Sequence, residues 1–197
     1  MSYIVVDVES DGPIPNKYSM VCFGAVVVEP SLSKTFYGKT KPIAAEWIPE
    51  ALAVSGFTRS EHESFEEPGL VMRNFASWLN TSSEGRPLFI SDNPAFDWQW
   101  INYYFHFFTG KNPFGFSARR IGDLYCGMKM DTGLNNEWKK LFRKKKHDHN
   151  PVNDAIGNAE ALLAMKASEH MAPGDARLKT VMERPKRPLI SCSSVAA

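Results

Sequence analysis

The sequence predicts an α/β fold: a mixed sheet, made of an antiparallel meander plus parallel strands, flanked by helices on both faces. Two observations predict it. Strand-like apolar segments with short, hairpin-like links come first, near 3–9, 19–28 and 34–40. Later strand-like segments alternate with amphipathic helical ones, as in parallel α/β sheets. These strands lie near 87–91 and 119–124, and the helices near 65–80, 96–109, 135–145 and 152–168.

The composition is that of one globular domain with a basic C-terminal extension. The 197 residues are 43% hydrophobic and 23% charged, which suits a single domain with a sizeable core. No run approaches the ~20 apolar residues of a membrane helix, and no secretory signal pattern is present. Three cysteines without metal-ligand spacing indicate a reducing, cytoplasmic setting. We predict a domain over residues 1–170 and a basic, Pro-containing tail over 171–197 that is extended or disordered.

The first predicted strand carries a pair of acids at its end. Residues 3–9 are rich in β-branched residues, which indicates a buried strand. Side chains alternate along a strand, so Asp7 and Glu9 point to the same face. Two acids on one face at the end of a central strand suit a metal site. An exposed acidic strand end would show the same pattern.

A third acid follows the strand-like segment near 87–91. Asp97 closes the string Asn-Pro-Ala-Phe-Asp over 93–97, where an aromatic helix begins. A carboxylate at this place can be functional, or it can be an ordinary favourable partner of the helix dipole. Asp92 is interpreted as a turn or strand-end residue.

His149 and Asp154 flank the start of the last predicted helix. Asn150 suits an N-cap and Pro151 the first helical position. We therefore expect Asp154 in the first helical turn and His149 on the loop before it. An unperturbed histidine pKa near neutral suits a general base, although a lone histidine is more often surface decoration. His147 lies seven residues from Asp154 and is interpreted as outside the motif.

In this order and spacing, the three motifs resemble those of the DEDDh (DnaQ-like, RNase T-type) 3′→5′ exonucleases. Segments 19–28 and 48–58 are also similar to the family, with Ser55 in the place of its usual histidine, and the likeness spans roughly residues 3–168. The resemblance implies an RNase H-like fold with His149 as the general base. It also implies two Mg²⁺ ions, for which Mn²⁺ substitutes, held by Asp7, Glu9, Asp97 and Asp154.

The activity implied by the resemblance is metal-dependent hydrolysis of phosphodiester bonds from the 3′ end of single-stranded nucleic acid, releasing nucleoside 5′-monophosphates. RNA is slightly favoured, because the chain resembles the stand-alone RNA-trimming members. A 3′→5′ exodeoxyribonuclease of the proofreading or repair type is the alternative. A catalytically silent nucleic-acid-binding module is a second alternative, which the complete set of acids and histidine disfavours. A homodimer is left open, since similar enzymes are often dimeric.

Side chains near these motifs are candidates for contact with single-stranded RNA or DNA. The net charge of +1 does not by itself indicate a nucleic-acid binder, so the distribution of charge matters more. A run of lysines directly before the third motif suits phosphate contact, although a solvated helix face usually explains such a run. Aromatic residues of the segment near 96–109 either stack on bases or pack in the core. The candidates are Ser55, Trp98, Arg119, Arg120, Lys144, Lys145 and Lys146.

Overall fold

A five-stranded mixed sheet forms the centre of the protein in the computed structural model, which describes residues 1–171. Its strands are, in chain order, β1 (Ser2–Ser10), β2 (Met20–Val27), β3 (Thr35–Lys39), β4 (Pro87–Ser91) and β5 (Ala118–Arg120). They lie in the order β3-β2-β1-β4-β5. The first three pair antiparallel, whereas β4 pairs parallel with β1 and with β5. This arrangement confirms the predicted fold class and places β1 at the centre of the sheet.

Helices follow the meander and alternate with the later strands. They are α1 (Pro49–Val54), α2 (Arg59–Glu63), α3 (Pro68–Ser82), α4 (Pro94–Thr109), α5 (Ile121–Lys129), α6 (Glu137–Phe142) and α7 (Pro151–Met171). They cover both faces of the sheet. Val6 of β1 belongs to the core formed with α3 and α4, and Val5 belongs to the core formed with α5, α6 and α7. Asp7 and Glu9 continue the row of Val5 along the strand, and therefore face α7.

Two predicted elements differ in the structure. The strand predicted near 119–124 ends at Arg120, where α5 begins. Ile121 and Tyr125 are four residues apart and are buried together against the sheet, so a helical period replaces the expected alternation. The helix predicted over 135–145 spans only Glu137–Phe142, because the backbone of Arg143 is extended. The chain between α6 and α7 is therefore a loop, which carries His149.

The C-terminal tail predicted over 171–197 lies outside the described residues, apart from Met171 at the end of α7. Within residues 1–171, every helix is too short or too polar to cross a membrane.

Candidate active site

Asp7 and Glu9 stand near the carboxyl end of β1, on the sheet face that α7 covers. The strand is held on both sides, since it pairs with β2 over most of its length and with β4 at its start. In the antiparallel register Asp7 lies opposite Gly24, and Glu9 lies opposite Cys22. The backbone ladder therefore fixes both acids in place.

Gly24 lets the start of α7 approach the sheet beside Asp7. A Cβ atom at position 24 would lie 2.3 Å from the backbone carbonyl carbon of Pro151 and 2.3 Å from the backbone nitrogen of Val152. A methyl group cannot be accommodated at that distance, so the contact requires glycine. The first turn of α7 therefore lies directly on the strand that neighbours β1.

The helix start is itself well determined by the sequence. The Asn150 side-chain oxygen accepts hydrogen bonds from the backbone N–H groups of Val152 (3.1 Å) and Asn153 (3.3 Å), as expected of an N-cap. Pro151 occupies the first helical position. Asp154, in the first turn, is buried. The predicted cap and the predicted placement of Asp154 are both confirmed.

Asp97 reaches the same place from the opposite side of the sheet. It lies in the first turn of α4 and is 4% exposed. Its Oδ1 accepts a hydrogen bond of 3.2 Å from the backbone N–H of Val8, the residue between the two acids of β1. The second motif is thereby joined directly to the first, across 89 positions of sequence.

His149 completes the cluster from the loop before α7. Its backbone is in the left-handed region, with φ at 58°, and its N–H donates to Oδ2 of Asp154 at 3.1 Å. Its Nδ1 lies 3.5 Å from Oε1 of Glu9, and the side chain is 57% exposed. One donor atom each from Glu9, His149 and Asp154 lie within 4.8 Å of one another. The site is therefore open to solvent on the histidine side.

Burial raises the pKa values of the acids that lie on the sheet side of the site. It raises the pKa of Asp7 well above its ordinary value, and the neighbouring carboxylates of Asp97, Glu9 and Asp154 raise it further. Burial also raises the pKa of Glu9, against the opposing influence of His149. The pKa of Asp97 rises to about 7, again because of burial, although hydrogen bonds to the carboxylate oppose the rise.

The pKa of Asp154 shifts in the opposite direction. Burial acts to raise its pKa, but hydrogen bonds and charge from His147 and Arg143 outweigh that effect and lower it. His147 Nδ1 lies 3.0 Å from Oδ1 of Asp154, and Arg143 Nη2 lies 2.6 Å from the same oxygen. Asp154 is therefore the acid of the cluster with nearby cationic and imidazole partners.

The donor set fits hard divalent cations. Four carboxylates supply the oxygen ligands that Mg²⁺ and Mn²⁺ prefer. Burial and the mutual repulsion of the carboxylates together raise the pKa of Asp7, and a bound divalent cation would offset this negative charge. A zinc site rich in sulfur is not supported, because Cys22, which lies beside Glu9 in the sheet register, is buried with a raised thiol pKa.

Sequence reasoning missed two side chains of this site. His147 was interpreted as outside the motif, yet it contacts Asp154. Arg143 stands in a run of cations that reads as solvent-exposed, yet its side chain is 4% exposed and ion-paired with Asp154. The extended backbone at Arg143 ends α6, and the inward direction of this one side chain leaves no signature in a linear charge pattern.

The candidate nucleic-acid contacts lie in varied surroundings. The three lysines of the run 144–146 are exposed on the loop before His149, whereas Ser55 is buried and donates to the Leu52 carbonyl. Trp98 packs edge-on against Phe89, with 5.0 Å between ring centroids.

Arg119 is exposed, and Arg120 donates to the backbone carbonyl of Asp92. Asp92 also pairs with Lys139, as suits a strand-end residue.

A mixed sheet with this acid cluster at its central strand defines a nuclease of the RNase H-like fold. No family model matches the chain. It is 38% identical over 176 residues to the 3′-5′ DNA exonuclease Cap18 of Escherichia coli, covering 85% of this chain and 93% of that protein. The chain therefore belongs to the DEDDh 3′→5′ exonuclease superfamily and is a hydrolase acting on nucleic acid.

Solved structures share the fold. Cell-death related nuclease 4 (CRN-4) superposes with a TM-score of 0.68 at 16% identity, covering 85% of this chain and 64% of that one. Pop2p of S. pombe, in a Mg²⁺- and Mn²⁺-bound form, superposes with a TM-score of 0.59 at 14% identity, covering 89% of this chain and 86% of that one. At these identities the likeness establishes the fold alone.

Proposed function

We propose that the protein is a metal-dependent exonuclease that removes nucleotides from single-stranded 3′ ends and releases nucleoside 5′-monophosphates. The observation that carries this proposal is the convergence of Glu9, His149 and Asp154 within 4.8 Å. Asp7 lies on the same strand face as Glu9, and Asp97 is hydrogen-bonded between them at Val8.

The acids have distinct roles in this proposal. Asp7, Glu9 and Asp154 would hold one Mg²⁺ ion, and Asp7 and Asp97 would help to hold a second. When bound, the two ions stabilise the developing charge on the phosphate and favour ionisation of water. The metal-bound form of Pop2p, which shares the fold, supports divalent cations as the cofactor class.

His149 takes the proton of the attacking water. Its exposed side chain on the loop before α7 can reach solvent, and the Asp154 hydrogen bond holds its backbone. The water oxygen forms a bond to phosphorus, and the bond from phosphorus to the 3′ oxygen of the preceding nucleotide breaks. That oxygen takes a proton from water, which leaves a strand shortened by one nucleotide and a nucleoside 5′-monophosphate.

We propose DNA as the preferred substrate. The observation behind this choice is the relative Cap18, which at 38% identity is named a DNA exonuclease. RNA, which the sequence slightly favoured, stays as the second candidate.

Exposed cations of the loop before His149 suit backbone phosphates of either polymer, and we propose contacts from Lys144, Lys145 and Lys146. Ser55, Trp98, Arg119 and Arg120 remain predicted contacts of the same kind. A homodimer and a cytoplasmic location also remain predictions, the former tested by light scattering.

The decisive experiment is a gel time course with 5′-labelled single-stranded DNA and RNA of the same sequence, in Mg²⁺, Mn²⁺ or EDTA. We expect a ladder that shortens from the 3′ end in either metal and is absent in EDTA. DNA should be degraded faster than RNA. Asp7→Asn should give no ladder, whereas Glu67→Gln, which changes an exposed acid paired with Lys41, should match the wild type.

Each other outcome has a definite meaning. Binding of both polymers without cleavage in any metal would replace the proposal with the silent nucleic-acid-binding module. Faster degradation of RNA would reverse the substrate preference and leave the exonuclease assignment intact. Activity that persists in EDTA would refute metal dependence.

A further inference from the structure

Arg143 places its guanidinium group inside the active site rather than on the surface. Nη2 donates to Oδ1 of Asp154 at 2.6 Å, and Nη1 donates to the side-chain oxygen of Asn158 at 2.9 Å. Nε donates to the backbone carbonyl of Lys145 at 2.9 Å, and Nη1 also contacts Nε2 of His147. All three guanidinium nitrogens are thus engaged, on the helix and on the loop.

Helix α7 is shaped to receive this group. Asp154, Gly157 and Asn158 stand at helical positions i, i+3 and i+4, and therefore on one face. A Cβ at position 157 would lie 3.4 Å from both Nε and Nη2 of Arg143. Glycine at position 157 therefore places no side chain between the helix and the guanidinium. Asn158 is fully buried.

Asp154 links Arg143 to the catalytic histidine. Its Oδ1 accepts from Arg143, and its Oδ2 accepts from the backbone N–H of His149. The same guanidinium also closes the loop on itself at Lys145. One side chain therefore sets the orientation of a proposed metal ligand and anchors the loop that bears the proposed general base.

We propose that Arg143 is a positioning residue, which holds Asp154 and the loop of residues 143–149 in the geometry that catalysis needs. The inference rests on the proposed exonuclease function of this site. A phosphate-contact role is disfavoured because the side chain is 4% exposed. Its fork of donors matches one carboxylate and one amide oxygen, a geometry that lysine cannot reproduce.

The test compares Arg143→Gln and Arg143→Lys with Lys140→Gln, which changes an exposed lysine of α6 paired with Glu137. Steady-state kinetics on single-stranded DNA in Mg²⁺ give kcat and KM separately. Fluorescence anisotropy in EDTA gives the affinity for the same DNA. Arg143→Gln should lower kcat roughly 10²-fold, the size of effect expected from a misplacement of about 1 Å, with KM and DNA affinity within about threefold of the wild type.

Arg143→Lys retains the charge without the fork, so it should recover less than a tenth of the lost kcat. Full activity of Arg143→Lys would overturn the positioning role, since charge alone would then suffice. A parallel rise in KM and fall in DNA affinity for Arg143→Gln would also overturn it, in favour of a phosphate contact. An unchanged kcat in Arg143→Gln would also overturn the positioning role.

Two further measurements keep the inference testable if Arg143→Gln does not fold, or if the wild type has no exonuclease activity. Asn158→Ala removes one acceptor of the guanidinium and should lower kcat in the same way, with KM unchanged; a wild-type kcat would overturn the positioning role of Arg143. Hydrogen exchange of residues 143–154 in EDTA should be faster in Arg143→Lys than in Lys140→Gln. Equal exchange rates in the two variants would show that Arg143 does not anchor this loop. That result would hold whether or not the protein has the proposed exonuclease activity.

Discussion

The two halves of the candidate active site are held by different kinds of interaction. On the sheet side, Asp7 and Glu9 belong to a strand paired with two neighbours, and Asp97 is bonded to the backbone of that strand. On the loop side, Asp154 is carried by the first turn of α7, and the His149 loop is held through its backbone N–H, which donates to the Asp154 carboxylate. Backbone pairing therefore fixes the acids of β1, whereas contacts made by the side chains of Asp154 and Arg143 fix the loop that bears His149.

The halves also differ electrostatically. The sheet-side acids lie near one another, with Asp97 buried and Asp7 and Glu9 partly buried, and their pKa values are raised. On the loop side, the pKa of Asp154 is lowered against the effect of burial, because His147 and Arg143 contact the carboxylate. The charged forms of the sheet-side acids are therefore disfavoured by burial and by mutual repulsion, whereas the charged form of Asp154 is stabilised by His147 and Arg143.

The largest expected effect is the loss of all turnover on substitution of a sheet-side acid. Asp7→Asn should have no detectable exonuclease activity in Mg²⁺ or Mn²⁺. It should nevertheless be at least as stable as the wild type in EDTA at pH 8, because a neutral amide removes both the burial of a charged group and the repulsion from neighbouring carboxylates, which together raise the pKa of Asp7. Thermal unfolding in EDTA measures this. A clearly lower melting temperature would show that Asp7 stabilises the fold.

Asp154→Asn is the matched change on the loop side. It should also abolish turnover, but it should lower stability, because it weakens the contacts to Arg143 and to the His149 backbone. Charged hydrogen bonds of this kind contribute on the order of 1.5–3 kcal/mol each. If the two variants unfold at the same temperature in EDTA, the proposed contrast between the halves does not hold.

The loss of the proposed general base, His149, should have a smaller effect. We expect His149→Ala to lower kcat roughly 10²–10⁴-fold, the usual contribution of a positioned base. Stability should change little, because the side chain is more than half exposed. Single-turnover cleavage of DNA measures the loss. A variant with wild-type kcat would remove His149 from the mechanism.

Displacement of α7 should come next. Gly24→Ala introduces a methyl group where the backbone of Pro151 and Val152 already lies. Overpacking of this kind costs about 1–3 kcal/mol, and kcat should fall as Asp154 moves away from Asp7. Gly127→Ala is the control, since nothing lies within 4 Å of a Cβ added there in α5. If both variants unfold and turn over alike, the close approach at Gly24 is not required.

The smallest effect concerns the acid sensitivity contributed by His62 of α2, which contacts β2. His62 is fully buried, its Nε2 lies 3.3 Å from the carbonyl oxygen of Met20 on β2, and its Nδ1 lies 3.7 Å from Asp11. Burial lowers its pKa to about 4, with Arg59 acting in the same direction and Glu63 against it. The neutral ring therefore contributes stability that is complete above pH 6.5 and is lost as the pH falls to 4.

His62→Gln should flatten the dependence of unfolding free energy on pH in this window, by roughly 2 kcal/mol between pH 7 and pH 5. Urea unfolding at several pH values measures the slope. Activity at pH 8 should be unchanged, since the histidine is already neutral there. An equal slope in variant and wild type would assign the acid sensitivity to other groups.

Local signals explain which parts of this site could be predicted from sequence. The β-branched run before Asp7 predicts the central strand, and Asn150-Pro151 predicts the start of α7, because both structures follow from nearby residues. The bond between Asp97 and Val8 joins distant positions, and the motif resemblance, rather than any local pattern, placed Asp97 in the site. Arg143 was missed because a run of cations carries no sign of which member turns inward.

The contact at Gly24 has a consequence for the evolution of this chain. With backbone lying directly on backbone, no layer of side chains separates β2 from the first turn of α7. A substitution elsewhere under α7 that tilts or lifts the helix therefore changes the distance between Asp7 and Asp154 directly, because no side chains lie between the two backbones to absorb the shift. The core beneath this helix should accept fewer changes of side-chain volume than the core beneath α3, whose position does not set the spacing of these two acids.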